Sequence, residues 1–163
     1  MSTPTPLALF CALLLCADVD AAPAEGRDLR ASLASALEVR RRGDLQGALK
    51  TLRAILARAP SREARFELAV TLSWAGKLEA ALRQAETLLR AEPEHGAAKE
   101  LRDRLCHWLA LRRAAALREH GDLLAATRAF EAIVARKPEA QDARLELATT
   151  LAWRKRYDEA KRW

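Results

Sequence analysis

The side chains that could perform catalysis or bind a metal are few in this sequence and lie far apart. His95, His107 and His120 are each separated from the next by more than three helical turns, whereas two metal ligands on one helix must lie a single turn apart. Cys106 directly precedes His107, and adjacent helical residues point in different directions. There is no glycine-rich phosphate loop, serine nucleophile elbow or paired-carboxylate motif. We therefore predict no enzyme activity, no metal site and no cofactor, and we expect the histidines at the surface.

Tryptophan is the residue type whose placement points to ligand binding. The phrase ARFELAVTLSW (64–74) returns as ARLELATTLAW (143–153), with eight of eleven positions identical. Trp74 and Trp153 therefore occupy equivalent places, where a large rigid aromatic side chain can anchor a peptide or stack on a sugar. The alternative is that each ring packs under a neighbouring repeat. We expect the Trp74 ring to be closer to packed than to ligand-facing, and the Trp153 ring to be the more exposed of the two.

Arginine dominates the charge of the chain. The sequence has 28 basic and 22 acidic residues, a net charge of +6, and 22 of the basic residues are arginine. The densest run is Arg40–Arg42. Most of these side chains are expected on the solvated faces of amphipathic helices. The binding interpretation is attraction to an anionic partner, such as a polysaccharide, an outer-membrane surface or an acidic protein.

The elements that position these side chains follow from a repeated pattern of glycine, alanine and proline. Each glycine between two helical patterns is followed at a fixed spacing by an alanine and, at a longer fixed spacing, by a proline. Glycine ends a helix in a left-handed conformation, alanine permits close helix approach, and proline stops the second helix. The three sets are Gly43, Ala48 and Pro60; Gly76, Ala81 and Pro93; and Gly121, Ala126 and Pro138.

This unit of helix, tight turn, helix and proline resembles the tetratricopeptide repeat. The small residue of that family's first helix is matched by Ala36, Ala69, Ala114 and Ala148, and its second-helix aromatic by Phe130. The resemblance implies an all-α, right-handed solenoid of helical hairpins with about three and a half repeats. The units fall at 29–62, 62–95, 107–140 and 141–163.

The spacing between the second and third units is eleven residues longer than the repeat requires. Eleven residues make about three helical turns, so the apolar face before the extra residues and the apolar face after them point in nearly the same direction. We therefore predict one long helix over residues 97–120. The fourth unit is incomplete at its C-terminal end, since its second helix begins at Tyr157 and the sequence ends at Trp163.

In the tetratricopeptide family the first helices line the concave face, and this assigns candidate ligand-binding residues. The family's carboxylate clamp is not expected, because Leu33 and Leu37 occupy the places of its lysine and asparagine. The candidates that the resemblance implies are aromatic or basic residues of the first helices: Arg30, Arg40, Arg41, Phe66, Trp74, Trp108, Arg118 and Trp153.

The segment 1–21 is predicted to be a signal peptide. Leu7–Ala17 is an apolar run without charge, too short to span a bilayer, and small residues precede a cleavage point after Ala21. A lipoprotein interpretation through Cys16 conflicts with bulky Leu15, and a buried N-terminal helix is the structural alternative. Residues 22–28 are then a linker and 29–163 the repeat domain. Cleavage leaves Cys106 as the single cysteine and raises the net charge by two.

A second resemblance concerns cellular context. The phrase LATTLAWRKRYDEAKRW (147–163) is similar to LAxxLAWxGRYDEA in exported segments of YaiO-type and exopolysaccharide-export outer-membrane proteins, with Lys155 in place of glycine. It implies a scaffold in the bacterial cell envelope, periplasmic or outer-membrane associated, that binds a protein, a peptide or an anionic polysaccharide. The alternative is a free-standing periplasmic adaptor without a transport role. We expect no nucleic-acid partner and no transmembrane helix in the mature chain.

Overall fold

The computed structural model describes residues 21–163, with side chains from Arg27 onward, and this part of the chain is helical. It contains eight helices: α1 (Ala21–Arg41), α2 (Leu45–Arg58), α3 (Arg62–Trp74), α4 (Leu78–Ala91), α5 (Gly96–Glu119), α6 (Leu123–Arg136), α7 (Gln141–Trp153) and α8 (Tyr157–Ala160). No strand occurs among these residues. The predicted fold class, an all-α array of helical hairpins, is confirmed.

The start of α1 lies in the predicted linker. The signal-peptide prediction falls, except for Ala21, outside the described residues and stays a prediction. Residues 22–28 are helical and continuous with the rest of α1. Alanine, glutamate and arginine favour helix there, and Pro23 lies in the first turn, where its missing N–H costs no hydrogen bond.

The described residues form two compact units, one ending at Glu67 and the other comprising Leu68–Trp163, so the boundary falls within α3. In the first unit, α1 packs against α2. The alanines that the repeat pattern singled out, Ala36 and Ala48, are fully buried, and Leu49 and Leu52 fill the space beside them. Small side chains at these positions let the two helices approach closely.

In the second unit, consecutive helices from α4 to α8 pack pairwise. The predicted long helix is confirmed as α5, a helix of 24 residues and about 36 Å. Its N-terminal half buries Leu101 and Leu105, and its C-terminal half buries Ala114. Ala114 belongs to a core cluster with Phe130 of α6 and Leu147 of α7. The long helix thus contacts both α4 and α6.

Four turns end the first helices of the hairpins with the same backbone. Gly43, Gly76 and Gly121 have φ of +88°, +71° and +86°, and Lys155 has φ of +59°. In each turn the residue after this position donates its N–H to a carbonyl in the last turn of the helix, as Asp122 does to Leu117 at 3.0 Å. This is the Schellman arrangement that satisfies the last carbonyls of a helix. Lys155 therefore makes the turn that glycine makes elsewhere.

Candidate ligand-binding residues on the first helices

The predicted arginines of the first unit lie beside carboxylates. Arg40, near the end of α1, donates from Nη1 to Glu67 Oε2 of α3 at 2.6 Å, and its side chain is only 14 % exposed. Arg41 is exposed and bonds Glu38 one turn earlier at 3.2 Å. The Arg40 guanidinium is not an open anion site, because it is recessed and already engaged by Glu67, whereas Arg41 is held only by an exposed surface pair with Glu38.

Arg30 lies on α1 at the edge of a groove that Ser61 and Glu63 also line. The backbone N–H of Glu63 itself and the Ser61 hydroxyl, which donates at 3.1 Å, hold the pKa of Glu63 below its usual value. The charges of Arg62 and Arg30 lower this pKa further. Arg30 therefore also has a negative neighbour. Phe66, on α3, is partly buried.

The second unit repeats the arginine–glutamate pair and adds aromatic contacts. Arg118 of α5 donates from Nη1 to Glu146 of α7, and the same nitrogen lies 3.4 Å from Thr150 Oγ1. Its guanidinium carbon is 5.2 Å from the ring centroid of Trp153 and 5.8 Å from that of Phe130. The structure thus brings Arg118 and Trp153, two of the predicted binding residues, into contact.

The two ion pairs are copies of each other. Arg40 and Arg118 each lie three positions before the glycine of their turn, and Glu67 and Glu146 are each the fourth residue of a copy of the tryptophan phrase. Each pair joins the first helix of one hairpin to the first helix of the next. We did not predict the glutamates as site residues. The available signal was their recurrence within the repeated phrase, which duplication alone also explains.

Trp74 is more exposed than expected. Trp74 is 62 % exposed, Trp153 58 % and Trp108 42 %. The expectation that Trp74 is nearer the packed case and less exposed than Trp153 is wrong. Trp74 is the last residue of α3 and precedes the Gly76 turn. Trp153 is the last residue of α7, and Arg118 lies over its ring.

His107 forms a contact that sequence reasoning missed. Its side chain is 13 % exposed, so the expectation of a surface position is wrong, and its Nε2 lies 3.0 Å from Asp142 Oδ2 of α7. Because a carboxylate only accepts, Nε2 donates. Burial acts to raise the pKa of Asp142, but the bonds from His107 and from the backbone N–H of Ala143 outweigh it and hold the pKa below its usual value.

The other histidines have structural or exposed positions. His95 precedes α5, and its Nδ1 accepts from the backbone N–H of Ala98 at 3.2 Å, which caps the helix. His120 and Cys106 are exposed. Within residues 27–163 no three histidine, cysteine or acidic side chains group closely enough to hold a metal ion. In the same residues no helix combines the length and apolarity needed to cross a membrane.

Comparison with known proteins identifies the repeat type. A family model described as tetratricopeptide repeat matches residues 33–72, and a second model with the same description matches 117–163. Together the two segments cover just over half of the chain. No curated protein matches the sequence.

Solved structures of repeat proteins share the fold. MamA 41-end from Desulfovibrio magneticus RS-1 is similar with a TM-score of 0.50 and 16 % identity, covering 82 % of this chain and 89 % of that one. The TPR domain of P58(IPK) gives a TM-score of 0.55 at 16 % identity, over 82 % of this chain but 39 % of that one. Another MamA structure gives 0.50 at 17 % identity, with 84 % and 88 % coverage. At these identities the likeness concerns the fold alone.

Proposed function

Because the chain belongs to the tetratricopeptide-repeat family, whose domains bind protein partners and are generally non-catalytic, we propose that it is an exported protein-interaction scaffold of the bacterial cell envelope. The observation that carries the proposal is the pair of exposed tryptophans, Trp74 and Trp153, at equivalent ends of two first helices. Exposed large aromatic side chains at repeated positions are the residues that most often anchor protein interfaces.

The binding role rests on the aromatic side chains rather than on the arginines. Arg40, Arg41 and Arg118 each bond a glutamate, so an anionic polysaccharide would have to compete with a protein carboxylate for each of them. A tryptophan ring that is more than half exposed gains free energy when a partner covers its open apolar surface. We therefore favour a protein or peptide partner over a polysaccharide.

The envelope location is supported by two features of the sequence. The uncharged apolar run Leu7–Ala17 followed by small residues fits a signal peptide. The phrase at 147–163 resembles exported segments of exopolysaccharide-export outer-membrane proteins, which suggests a periplasmic place in such an assembly. Export predicts a mature N-terminus at Ala22, which N-terminal sequencing of the purified cellular protein measures. A product that begins at Met1 would refute both export and the envelope location.

Partner binding is tested by capture and mass spectrometry. The wild-type mature protein and Trp74→Ala, Trp153→Ala and double variants would be immobilised at equal density and exposed to envelope extract of the source organism. We expect one or more proteins to be retained by the wild type and lost from the double variant. Arg128→Ala, an exposed change on the second helix α6, is the matched control and should retain them. Equal retention by all variants would contradict the proposed role of the tryptophans.

Fractionation separates an envelope assembly from a free-standing adaptor. A scaffold within an outer-membrane assembly should sediment with the outer membrane and be released by mild detergent. A free-standing periplasmic adaptor should appear in the osmotic-shock fluid. The second result would retain the binding proposal and remove the transport context.

A further inference from the structure

We propose that Trp153 and the side chains along the exposed stripe of α7 form a subsite for uncharged apolar residues of an extended peptide, with Arg118 as the residue that holds the tryptophan ring in place. This inference rests on the proposed binding function and specifies the ligand chemistry of one part of it.

The first step is the layered packing around Arg118. The guanidinium carbon lies over two rings, that of Phe130, which is fully buried, and that of Trp153, which is 58 % exposed. A planar cation stacked on an indole is an attractive contact that a flexible ammonium reproduces poorly. Glu146 and Thr150 fix the same guanidinium by hydrogen bonds. The indole therefore rests on an anchored surface and loses little rotamer freedom when a ligand binds, which is the benefit of preorganisation.

The second step concerns charge. The Arg118 side chain is only 13 % exposed and its charge is balanced by Glu146. An acidic ligand would gain little from a recessed, already paired guanidinium, and it would approach the Glu146 carboxylate, whose side chain is 39 % exposed. An apolar side chain meets no such repulsion and can cover the open part of the indole. The charge arrangement thus favours an uncharged ligand group.

The third step concerns spacing. Leu145, Thr149 and Trp153 follow one another at intervals of four along α7, and Leu145 is 68 % exposed. Residues four apart on a helix lie on one face, about 6 Å apart along the axis. Alternate side chains of an extended peptide point to one side at intervals of about 6.6 Å. An extended segment with apolar residues at alternate positions therefore matches the stripe.

The first unit supplies an internal control. Arg40–Glu67 is the copy of Arg118–Glu146, but Leu52 occupies the position that corresponds to Phe130. The first unit therefore has no aromatic ring at the position of Phe130. A change at Arg40 perturbs an equivalent ion pair without touching the subsite, which makes Arg40→Lys the matched control for Arg118→Lys.

The experiment follows Trp153 directly. The full chain would be labelled with 5-fluorotryptophan, and the Trp153 ¹⁹F resonance assigned by its loss in Trp153→Phe. Three probes would be titrated: a Gly/Ser peptide with a central Phe-Ser-Leu, the same peptide with Glu-Ser-Glu, and polygalacturonate. We expect the Phe-Ser-Leu peptide to shift the Trp153 resonance and the two acidic probes to leave it unchanged. A roughly tenfold rise in NaCl should alter the affinity little, because uncharged contacts are not screened.

The variants test the role of Arg118. Arg118→Lys should weaken the Phe-Ser-Leu peptide about threefold to fivefold, the change that a partly exposed cation–π contact supports, and should broaden the Trp153 resonance before any ligand is added. Arg40→Lys should do neither. If Arg118→Lys fails to fold, Trp153→Ala replaces it, with peptide binding measured by isothermal titration because the Trp153 resonance is lost; binding should then vanish while the thermal midpoint is retained.

Three results would overturn the inference. These are the absence of any shift with millimolar Phe-Ser-Leu peptide, tighter salt-sensitive binding of an acidic probe at Trp153, or equal affinities in wild type and Arg118→Lys. Because the readout is one side chain with a defined peptide, each of these results leaves partner capture by the whole scaffold standing. Loss of capture in the envelope experiment would refute the proposed function on separate grounds.

Discussion

Lys155 offers a sharp test of the turn geometry because it adopts a backbone that the other three turns assign to glycine. Its φ is +59°, and Arg156 donates to Leu151 at 3.0 Å in the same pattern that follows Gly121. A residue with a Cβ in this left-handed region costs about 1–2 kcal/mol relative to its preferred conformation. We predict that Lys155→Gly stabilises the protein.

The expected magnitude is smaller than the full conformational cost. Glycine gains the left-handed backbone without strain, but it also adds freedom to the unfolded chain, which offsets about 0.5–1 kcal/mol. The net gain should be about 0.5–1 kcal/mol in the free energy of unfolding. In a chain of 163 residues this corresponds to a rise of about 1–4 °C in the thermal midpoint.

Two further variants isolate the backbone as the cause. Lys155→Ala keeps the Cβ and removes the rest of an exposed side chain, so it should be close to neutral. Gly121→Ala should lower the stability by about 1 kcal/mol, because its φ of +86° is unfavourable for a residue with a Cβ. A new Cβ there meets no atom within 4 Å, so no steric clash adds to this cost. Urea unfolding followed by circular dichroism measures all three. A loss of stability in Lys155→Gly, or a gain in Lys155→Ala equal to that in Lys155→Gly, would refute the reasoning.

Three other changes test separate parts of the structure. Gly76→Val should cost about 1–2 kcal/mol in thermal melts through backbone strain alone, since its new Cβ also lies in open space; equal midpoints would mean that the turn tolerates a β-branched residue. Trp74→Ala should cost less than about 1 kcal/mol because the ring is 62 % exposed, whereas loss of a buried tryptophan costs about 3–5 kcal/mol; a cost in the buried range would show that the ring packs. Asp142 has a lowered folded pKa, so its stabilisation is present above the ordinary carboxyl pKa near 4 and is lost as pH falls through the folded value. Asp142→Asn should therefore be less stable than wild type at neutral pH, with the difference vanishing in acid denaturation profiles; a difference independent of pH would contradict the role of the carboxylate.

The helices and turns could be predicted because their signals are local. Gly43, Gly76 and Gly121 indicate the turns, because the positive φ found there favours glycine and a glycine is visible in the sequence. The long helix was predicted over 97–120 and is observed over Gly96–Glu119, since an eleven-residue excess preserves helical facing. The linker over 22–28 was assigned only as the interval between the predicted cleavage point and the first repeat, and these residues belong to α1.

The ion pairs and the tryptophan exposure could not be predicted in the same way because they depend on side chains from different helices. Arg118 and Glu146 are 28 residues apart, and their contact requires α5 and α7 to lie side by side. Composition shows a surplus of arginine but not which arginines a carboxylate already engages. Exposure of Trp74 depends on where the packed stripe of α3 ends, and helical periodicity leaves a residue at the edge of that stripe undecided.

The net positive charge and the exposed tryptophans belong to different steps of binding. Arg40, Arg41 and Arg118 are paired with glutamates, so they add little short-range affinity, but the net positive charge, +6 for the full sequence and two higher after the predicted cleavage at Ala21, attracts an acidic partner over distances near the Debye length. Attraction of this kind raises the association rate, whereas covering a tryptophan ring slows dissociation. For an acidic protein partner, salt should therefore act mainly on the association rate, and Trp153→Ala mainly on the dissociation rate. The aromatic side chains then control the dissociation rate of the bound partner, and the net positive charge controls the association rate of an acidic partner.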